Sequence, residues 1–264
     1  MEQNRFYKPE EAIFHNDGRE EALLDFVQSH TDYRQMHGSP QRILDAIDEY
    51  GRTKAFLMNV GKEKGRIVAE ELIPALEPDL MVELGGYVGY SALLFGSACK
   101  RLGTRKYLSL EASPKFAQVS AQLIDLAGLD DTVEIQVGPC RDSLRQLRQD
   151  YPHGVVDVIF IDHAKREYVN DLKLCEELGL VGLGTTIIAD NVISPGVPDY
   201  LQYVAMSTSE KLQAIQQQMD PNKDISLGNP YLVYQNTRID SFEPTGEPDS
   251  LQVSRCIENR VLSK

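Results

Sequence analysis

The chain has no tryptophan in 264 residues, so any aromatic wall in a binding pocket has to come from phenylalanine or tyrosine. Basic residues are also scarce. Lys and Arg number 27 against 40 Asp and Glu, a net charge of −13. That balance argues against nucleic acid or an anionic membrane as the main partner, because phosphate binding needs a cationic footprint. Long apolar runs are missing too. The stretch from Val155 to Ile161 is broken by Asp157 and is far too short to span a bilayer. The first eleven residues are polar and charged, with no apolar signal region. Cysteine is limited to Cys99, Cys140, Cys175 and Cys256, widely spaced and without a Cys-x-x-Cys pair. Scattered thiols in a chain of this size fit a reduced, cytoplasmic protein and argue against a disulfide scaffold or a zinc site. What remains is ordinary for a globular protein: 42% apolar and 25% charged residues.

Two rhythms divide the chain. Residues 1–18 are polar, end in the turn signal Asn16-Asp17-Gly18, and read as an arm with freedom to move. Residues 19–78 have helical periodicity: Leu23, Leu24, Phe26 and Val27, then Ile43, Leu44 and Ile47 after Ser39-Pro40, then Ile67, Val68 and Leu72 in a helix from about Lys64 to Leu76. From residue 79 short apolar runs alternate with helical stretches. The runs are Leu80–Leu84, Lys106–Glu111, Val133–Gly138, Val155–Asp162 and Thr185–Asp190. Such alternation predicts βαβ units, a mostly parallel sheet and helices on both faces. A Gln-rich stretch, Ser207 to Asp220, reads as an exposed helix or lid. The alternating segments near Tyr231–Ile239 and Leu251–Ile257 read as a C-terminal antiparallel hairpin. No linker splits the chain, so residues 19–264 are expected to form one α/β domain with a helical cap.

The first strand runs into Glu83-Leu84-Gly85-Gly86-Tyr87-Val88-Gly89-Tyr90-Ser91. A strand, a glycine turn and a helix make a cradle for a nucleotide-like ligand. The glycine spacing does not match the dinucleotide fingerprint. An acid at the strand end suits the positive end of S-adenosylmethionine, which has no pyrophosphate to cradle. Glu111 ends the second strand, where an acid can accept both ribose hydroxyls. The bland alternative is a tight βα turn followed by a solvated strand-end charge.

Asp162 ends the fourth strand and Asp190-Asn191 the fifth. On neighbouring strands these three oxygen donors would converge, a set suited to a hard divalent cation such as magnesium. Each acid alone reads equally well as a helix N-cap. Lys165, three residues after Asp162, is a candidate base beside such a cation, or a surface lysine.

Ala55-Phe56-Leu57-Met58-Asn59-Val60-Gly61, Glu83-Leu84-Gly85-x-Tyr87-x-Gly89-Tyr90-Ser91, Asp162-His163-x-Lys165 and Asp190-Asn191-Val192-Ile193-x-Pro195-Gly196 together resemble the catechol O-methyltransferase family over roughly Arg19 to Ile257. The resemblance implies a class I methyltransferase fold with a seven-stranded sheet that uses S-adenosylmethionine and magnesium. It implies metal binding by Asp162, Asp190 and Asn191, with Lys165 as base. Glu243 would hydrogen-bond the second substrate hydroxyl, with Glu247 close by. Met58, Val60, Glu83, Gly85, Tyr87, Tyr90, Ser91, Glu111, Ala112, Cys140, Asp162 and His163 match cofactor-side positions. Phe56, Met58 and Pro195 match the walls around the catechol, beside Asp162, Lys165, Asn191 and Glu243. The sequence departs from the pattern at Phe56 and Ala164, where mammalian members have Trp, and at Cys140-Arg141, where Ser-Gln is expected. A wider pocket follows.

These positions imply transfer of a methyl group to one hydroxyl of a small-molecule catechol. Two other readings stay open: the same chemistry on a caffeoyl ester or flavonoid diol, and a non-catalytic S-adenosylmethionine-binding protein.

Overall fold

The apolar runs become the strands of a single seven-stranded sheet in the computed structural model, which describes residues 6–9, 16–218 and 226–259. The strands are β1 (Leu80–Leu84), β2 (Lys106–Glu111), β3 (Val133–Val137), β4 (Val158–Ile161), β5 (Thr186–Ala189), β6 (Leu232–Phe242) and β7 (Pro248–Asn259). Their order is β3-β2-β1-β4-β5-β7-β6. The first five pair in parallel; β7 runs antiparallel to both β5 and β6. The chain therefore reverses its direction of growth between β1 and β4. Ligands of open α/β sheets bind beyond the carboxyl ends of the strands at such a switch point.

The helices are α1 (Arg19–Gln28), α2 (Tyr33–Met36), α3 (Pro40–Thr53), α4 (Gly61–Arg66), α5 (Ile73–Leu76), α6 (Tyr90–Leu102), α7 (Pro114–Leu126), α8 (Cys140–Asp150), α9 (Tyr168–Glu177), α10 (Pro198–Ala205) and α11 (Thr208–Gln218). A π-helical stretch, Ile67–Leu72, joins α4 to α5. Alternation along each strand decides which helices meet which face. Met81, Tyr107, Val133, Val158, Phe160 and Ile188 pack with α1, α3, α6 and α7. Val82, Leu84, Leu108, Leu110, Ile159 and Ile161 pack with α8, α9 and α10. A parallel sheet covered on both faces has to be apolar on both, which is why these strands read as continuous runs.

Two local expectations need adjusting. Pro40 takes the first helical turn of α3, but the Ser39 side chain makes no capping bond. The Gln-rich helix α11 is not simply exposed, since Lys211 is buried and pairs with Glu176 at 3.4 Å; residues 219 and 220 lie outside the described residues. Strands β6 and β7 form the expected antiparallel C-terminal hairpin, and because β7 also pairs with β5, Leu251, Gln252 and Ser254 are all buried. Of the N-terminal arm, Tyr7 is buried in the core. No helix among the described residues is long and apolar enough to cross a membrane.

Candidate active site

The loops after β1, β2, β4 and β5 meet at the switch point. Gly85 follows β1 with φ +101°, and a Cβ there would lie 2.7 Å from the Asp162 carbonyl oxygen after β4. Only glycine allows both that backbone angle and that close crossing.

On one side of the crossing Glu83 is fully buried, and its Oε2 accepts a 2.6 Å bond from Ser109 Oγ. Its Oε1 has no partner. Burial pushes this carboxyl up to about 7, against the lowering effect of Ser109 and Ser91. A buried carboxylate oxygen without a donor destabilises the site until a donor arrives. The ammonium of an amino-acid ligand would fit there. Glu111 is 8% exposed; its two oxygens accept the Ser113 and Tyr87 amides, each at 2.7 Å. Those amides orient the carboxylate toward the glycine loop. Tyr87 donates its hydroxyl to buried Glu20 of α1 at 2.7 Å and meets Phe116 edge-on.

The remaining expected cofactor positions spread around this cradle. Val60 is buried, Met58 half-buried and Ala112 exposed. Ser91 lies in the first turn of α6, beside Glu83. Tyr90 turns its hydroxyl away, toward Asp48 of α3 at 3.3 Å. Cys140 opens α8. Burial and then the adjacent Asp171 push its thiol well above the usual value, so it does not present a reactive thiolate. His163 Nε2 lies 2.9 Å from Asp171 Oδ2, and its ring stacks on Tyr168 with centroids 5.3 Å apart.

On the other side two lysines hold the acids together. Lys165 Nζ donates to Asp162 Oδ1 (2.8 Å), Asn191 Oδ1 (2.6 Å) and the Tyr168 hydroxyl (2.8 Å). Lys64 of α4 is fully buried, with Nζ at 2.6 Å from Asp190 Oδ1, 2.5 Å from Glu243 Oε1 and 2.8 Å from Asp249 Oδ2. Asn191 Nδ2 also donates to Glu243 Oε1 at 2.6 Å, which ties the two halves together. Glu243 opens the turn between β6 and β7, where its N–H donates to the Glu247 carbonyl at 2.8 Å. Glu247 itself is exposed, so Glu243 is the acid that reaches the cluster.

Burial alone would lower the Lys64 ammonium, but Asp190, Glu243 and Asp249 outweigh it and hold it well above the usual lysine value. Burial also works to raise Asp249, yet Lys64 keeps it at about 2. Glu243 and Asp190 go the other way, raised by burial to about 8 and about 6. Four carboxylates (Asp162, Asp190, Glu243 and Asp249) thus gather around two lysines, and burial is the main cause of the raised values of Glu243 and Asp190. Asp190, Glu243 and Asp249 have the spacing of a metal-binding group, but Lys64 Nζ already occupies their centre. The expected triad Asp162, Asp190 and Asn191 offers only hard oxygens, the donor type a divalent cation takes, with Lys165 Nζ against Asp162 Oδ1 and Asn191 Oδ1 and Lys64 Nζ against Asp190 Oδ1.

Sequence reasoning missed Lys64 and Asp249. Lys64 stands one helical period before Val68 and two before Leu72, so it lies on the stripe expected to be buried. Asp249 shares the period-2 face of Leu251 and Val253. A charge in an apolar stripe is the signal that would have found both.

Phe56 is 8% exposed, while Pro195, Ala164 and Ile193 line the exposed rim. Next to Lys165 an open cleft of about 870 Å³ runs between α9, α10 and α11, with Gly196, Pro198, Tyr200 and Met206 among its lining.

A family model described as O-methyltransferase matches residues 41–226. The catechol O-methyltransferase of Mus musculus is 41% identical over 72% of this chain and 69% of its own length. The transmembrane O-methyltransferase of Homo sapiens is 36% identical over 70% and 61%. An O-methyltransferase from Bacillus cereus, solved in complex with SAH, superposes with a TM-score of 0.55 over 93% of both chains at 20% identity. The O-methyltransferase TomG from Streptomyces achromogenes, solved with SAM, gives 0.58 over 97% and 99% at 19% identity. At those identities the solved structures bear on the fold alone.

Proposed function

The chain belongs to the O-methyltransferase family, with catechol O-methyltransferases among its relatives, and from that premise we propose that it transfers a methyl group from S-adenosylmethionine to one hydroxyl of a catechol. The observation that carries this is the partition of the site. An unpartnered buried carboxylate oxygen on Glu83 is ready for a cation on one side, and an oxygen-rich cluster gathered around Lys64 and Lys165 lies on the other.

S-adenosylmethionine supplies the electrophilic methyl group. Glu83 pairs with its ammonium and Glu111 accepts the ribose hydroxyls, while Met58, Val60 and Tyr87 pack around the sulfonium end. Asp162, Asp190 and Asn191 would hold magnesium, which supplies Lewis acidity that makes a neighbouring hydroxyl more acidic. Lys165, at hydrogen-bond distance from both Asp162 and Asn191, takes the proton of the reacting hydroxyl at Nζ when its amine is neutral and becomes the ammonium. Glu243 accepts a hydrogen bond from the second hydroxyl, so one oxygen faces the methyl group. Phe56 and Pro195 wall the ring and keep the oxygen and methyl carbon at near-attack distance. The anion and the sulfonium neutralise each other on transfer, so a partly dry pocket favours the step.

The exposed, small Ala164 beside His163 and Lys165 also favours a second reading, in which the diol is carried by a bulkier ester or flavonoid. One experiment tests both. A panel of simple catechols, caffeoyl esters and flavonoids is incubated with S-adenosylmethionine, with magnesium or with EDTA, and the products are identified. Methylation of catechols that EDTA abolishes and magnesium restores is the expected result. Full activity in EDTA removes the metal role of Asp162, Asp190 and Asn191.

A further inference from the structure

Tyr7 lies in a segment that sequence alone reads as an arm, yet it is 4% exposed and its contacts include both the Phe56–Val60 segment and the turn that carries Glu243. Its backbone N–H donates to the carbonyl of Pro244, the residue after Glu243, at 2.9 Å. Its hydroxyl donates to Asp48 Oδ1 of α3 at 2.8 Å and accepts from Asn59 Nδ2 at 3.4 Å. Its ring meets Phe56 edge-on, with centroids 6.2 Å apart and planes at 86°. The seat is cut to this side chain, since any Cβ on Gly51 of α3 would overlap the Tyr7 ring. Next to it, the Phe6 ring packs over Gly246, where an added Cβ would lie 3.0 Å away. Residues 6 and 7 therefore hold the Glu243–Glu247 turn against α3 and the adjoining Phe56–Val60 segment, far earlier in the chain.

We propose that Tyr7 is a positioning residue that sets which of two inequivalent catechol hydroxyls is methylated, by locking the Phe56 wall against the Glu243 turn. Tyr7 touches neither the donor nor the reacting oxygen. It acts through the two residues that face opposite sides of the acceptor: the aromatic wall and the acid that engages the second hydroxyl. The choice between adjacent hydroxyls is energetically small. A tenfold product ratio corresponds to a barrier difference of about 1.4 kcal/mol, and displacements of about 1 Å at a site change rates by more than that. A clamp on both walls is enough to decide it. The proposal rests on the catechol reading above.

The test compares the wild type with Tyr7→Ala and Tyr7→Phe on 3,4-dihydroxybenzoate, whose two monomethyl products are distinguishable. Tyr7→Ala is expected to bring the product ratio at least about fivefold closer to unity and to raise the acceptor KM about tenfold. S-adenosylmethionine affinity, which Glu83 and Glu111 dominate, should stay within about threefold by calorimetry. Tyr7→Phe keeps the ring contact and loses the Asp48 bond, so its ratio should fall in between; it also serves if the alanine variant does not fold. Hydrogen exchange gives a readout that needs no turnover. The Gly246 and Glu243 amides, which bond within the turn, should exchange faster in Tyr7→Ala while amides of β1 and β4 do not. An unchanged product ratio in a folded variant overturns the proposal. So does a parallel loss of cofactor and acceptor affinity at constant ratio, which marks a merely structural role. If the wild type methylates no catechol, the functional reading fails by itself, and the exchange rates then decide whether Tyr7 holds the turn.

Discussion

Glu83 shows how one carboxylate can carry a cofactor preference. Burial lifts it to about 7, and one of its oxygens has no donor. Only the ionised form attracts an ammonium, so affinity for S-adenosylmethionine should climb between about pH 6 and pH 8. Glu83→Gln should flatten that profile and weaken binding, as calorimetry across the range would show. The sign for folding is opposite. A carboxyl raised in the folded state contributes stability at low pH that is lost as the pH rises from its unfolded value toward 7. Without ligand, Glu83→Gln should therefore stabilise the protein at alkaline pH by up to about 3 kcal/mol, readable in urea titrations. Lys165 poses a different question, base or positioning charge. Its three oxygen partners suit a cation, whereas a base has to lose a proton. Arginine keeps the charge and cannot lose it. Lys165→Arg should thus fall nearly as far as Lys165→Ala, by about 10² to 10⁴ in kcat. Near-normal turnover of Lys165→Arg would make the lysine a positioning charge.

At the scale of elements, the Lys64 side chain ties α4 to the β6–β7 hairpin and the end of β5. Lys64 projects from α4 into Asp190, Glu243 and Asp249, all in regions far from it in sequence. Asp249 in turn accepts the Ile193 and Ser194 amides at 3.0 and 2.9 Å, which secures the loop carrying Asn191 and Pro195. Lys64→Met should leave two buried carboxylates, Asp190 and Asp249, and the partly buried Glu243 without this counter-charge and cost about 3 to 5 kcal/mol, lowering Tm by about 10 °C. The deficit should shrink toward acid pH, where Asp190 and Glu243 take up protons. A neutral variant as stable as the wild type at pH 7 would mean the lysine serves only the chemistry. The periodicity of α4 and the alternation in β7 were visible in the sequence. That one lysine would join them was not, because pairing between an N-terminal helix and a C-terminal hairpin depends on chain topology.

For the whole molecule, the absence of tryptophan meets the shape of the surface. Ala164 and Pro195 sit exposed on the rim, and the 870 Å³ cleft opens beside Lys165. The wild type should accept diols with bulky substituents, and Ala164→Trp should narrow its range toward small catechols by filling the rim. A product survey of both proteins with the same panel checks this, and an identical range for the two would end the wide-pocket argument. Net charge acts at the same scale. At −13 the molecule carries a net negative field, which draws cations toward it.

The sequence by itself determined the alternation of strands and helices, the antiparallel C-terminal pair and the strand-end positions of Glu83, Glu111, Asp162 and Asp190. Hydrophobic periodicity and glycine placement act over a few residues, so a linear reading captures them. It also determined that Lys165 stands near Asp162, three residues away. Tertiary structure decided the rest. The order β3-β2-β1-β4-β5-β7-β6 puts β4 and β5 side by side and brings Asp162 and Asn191 onto one lysine. It chose Glu243 over Glu247 by the turn's internal bonds, and it turned Tyr90 from the glycine loop to Asp48. It also placed Lys64, Asp249 and Tyr7, whose partners lie tens to hundreds of residues away. A buried charge or phenol is stable only where distant groups satisfy it, and no local pattern records which distant groups those are.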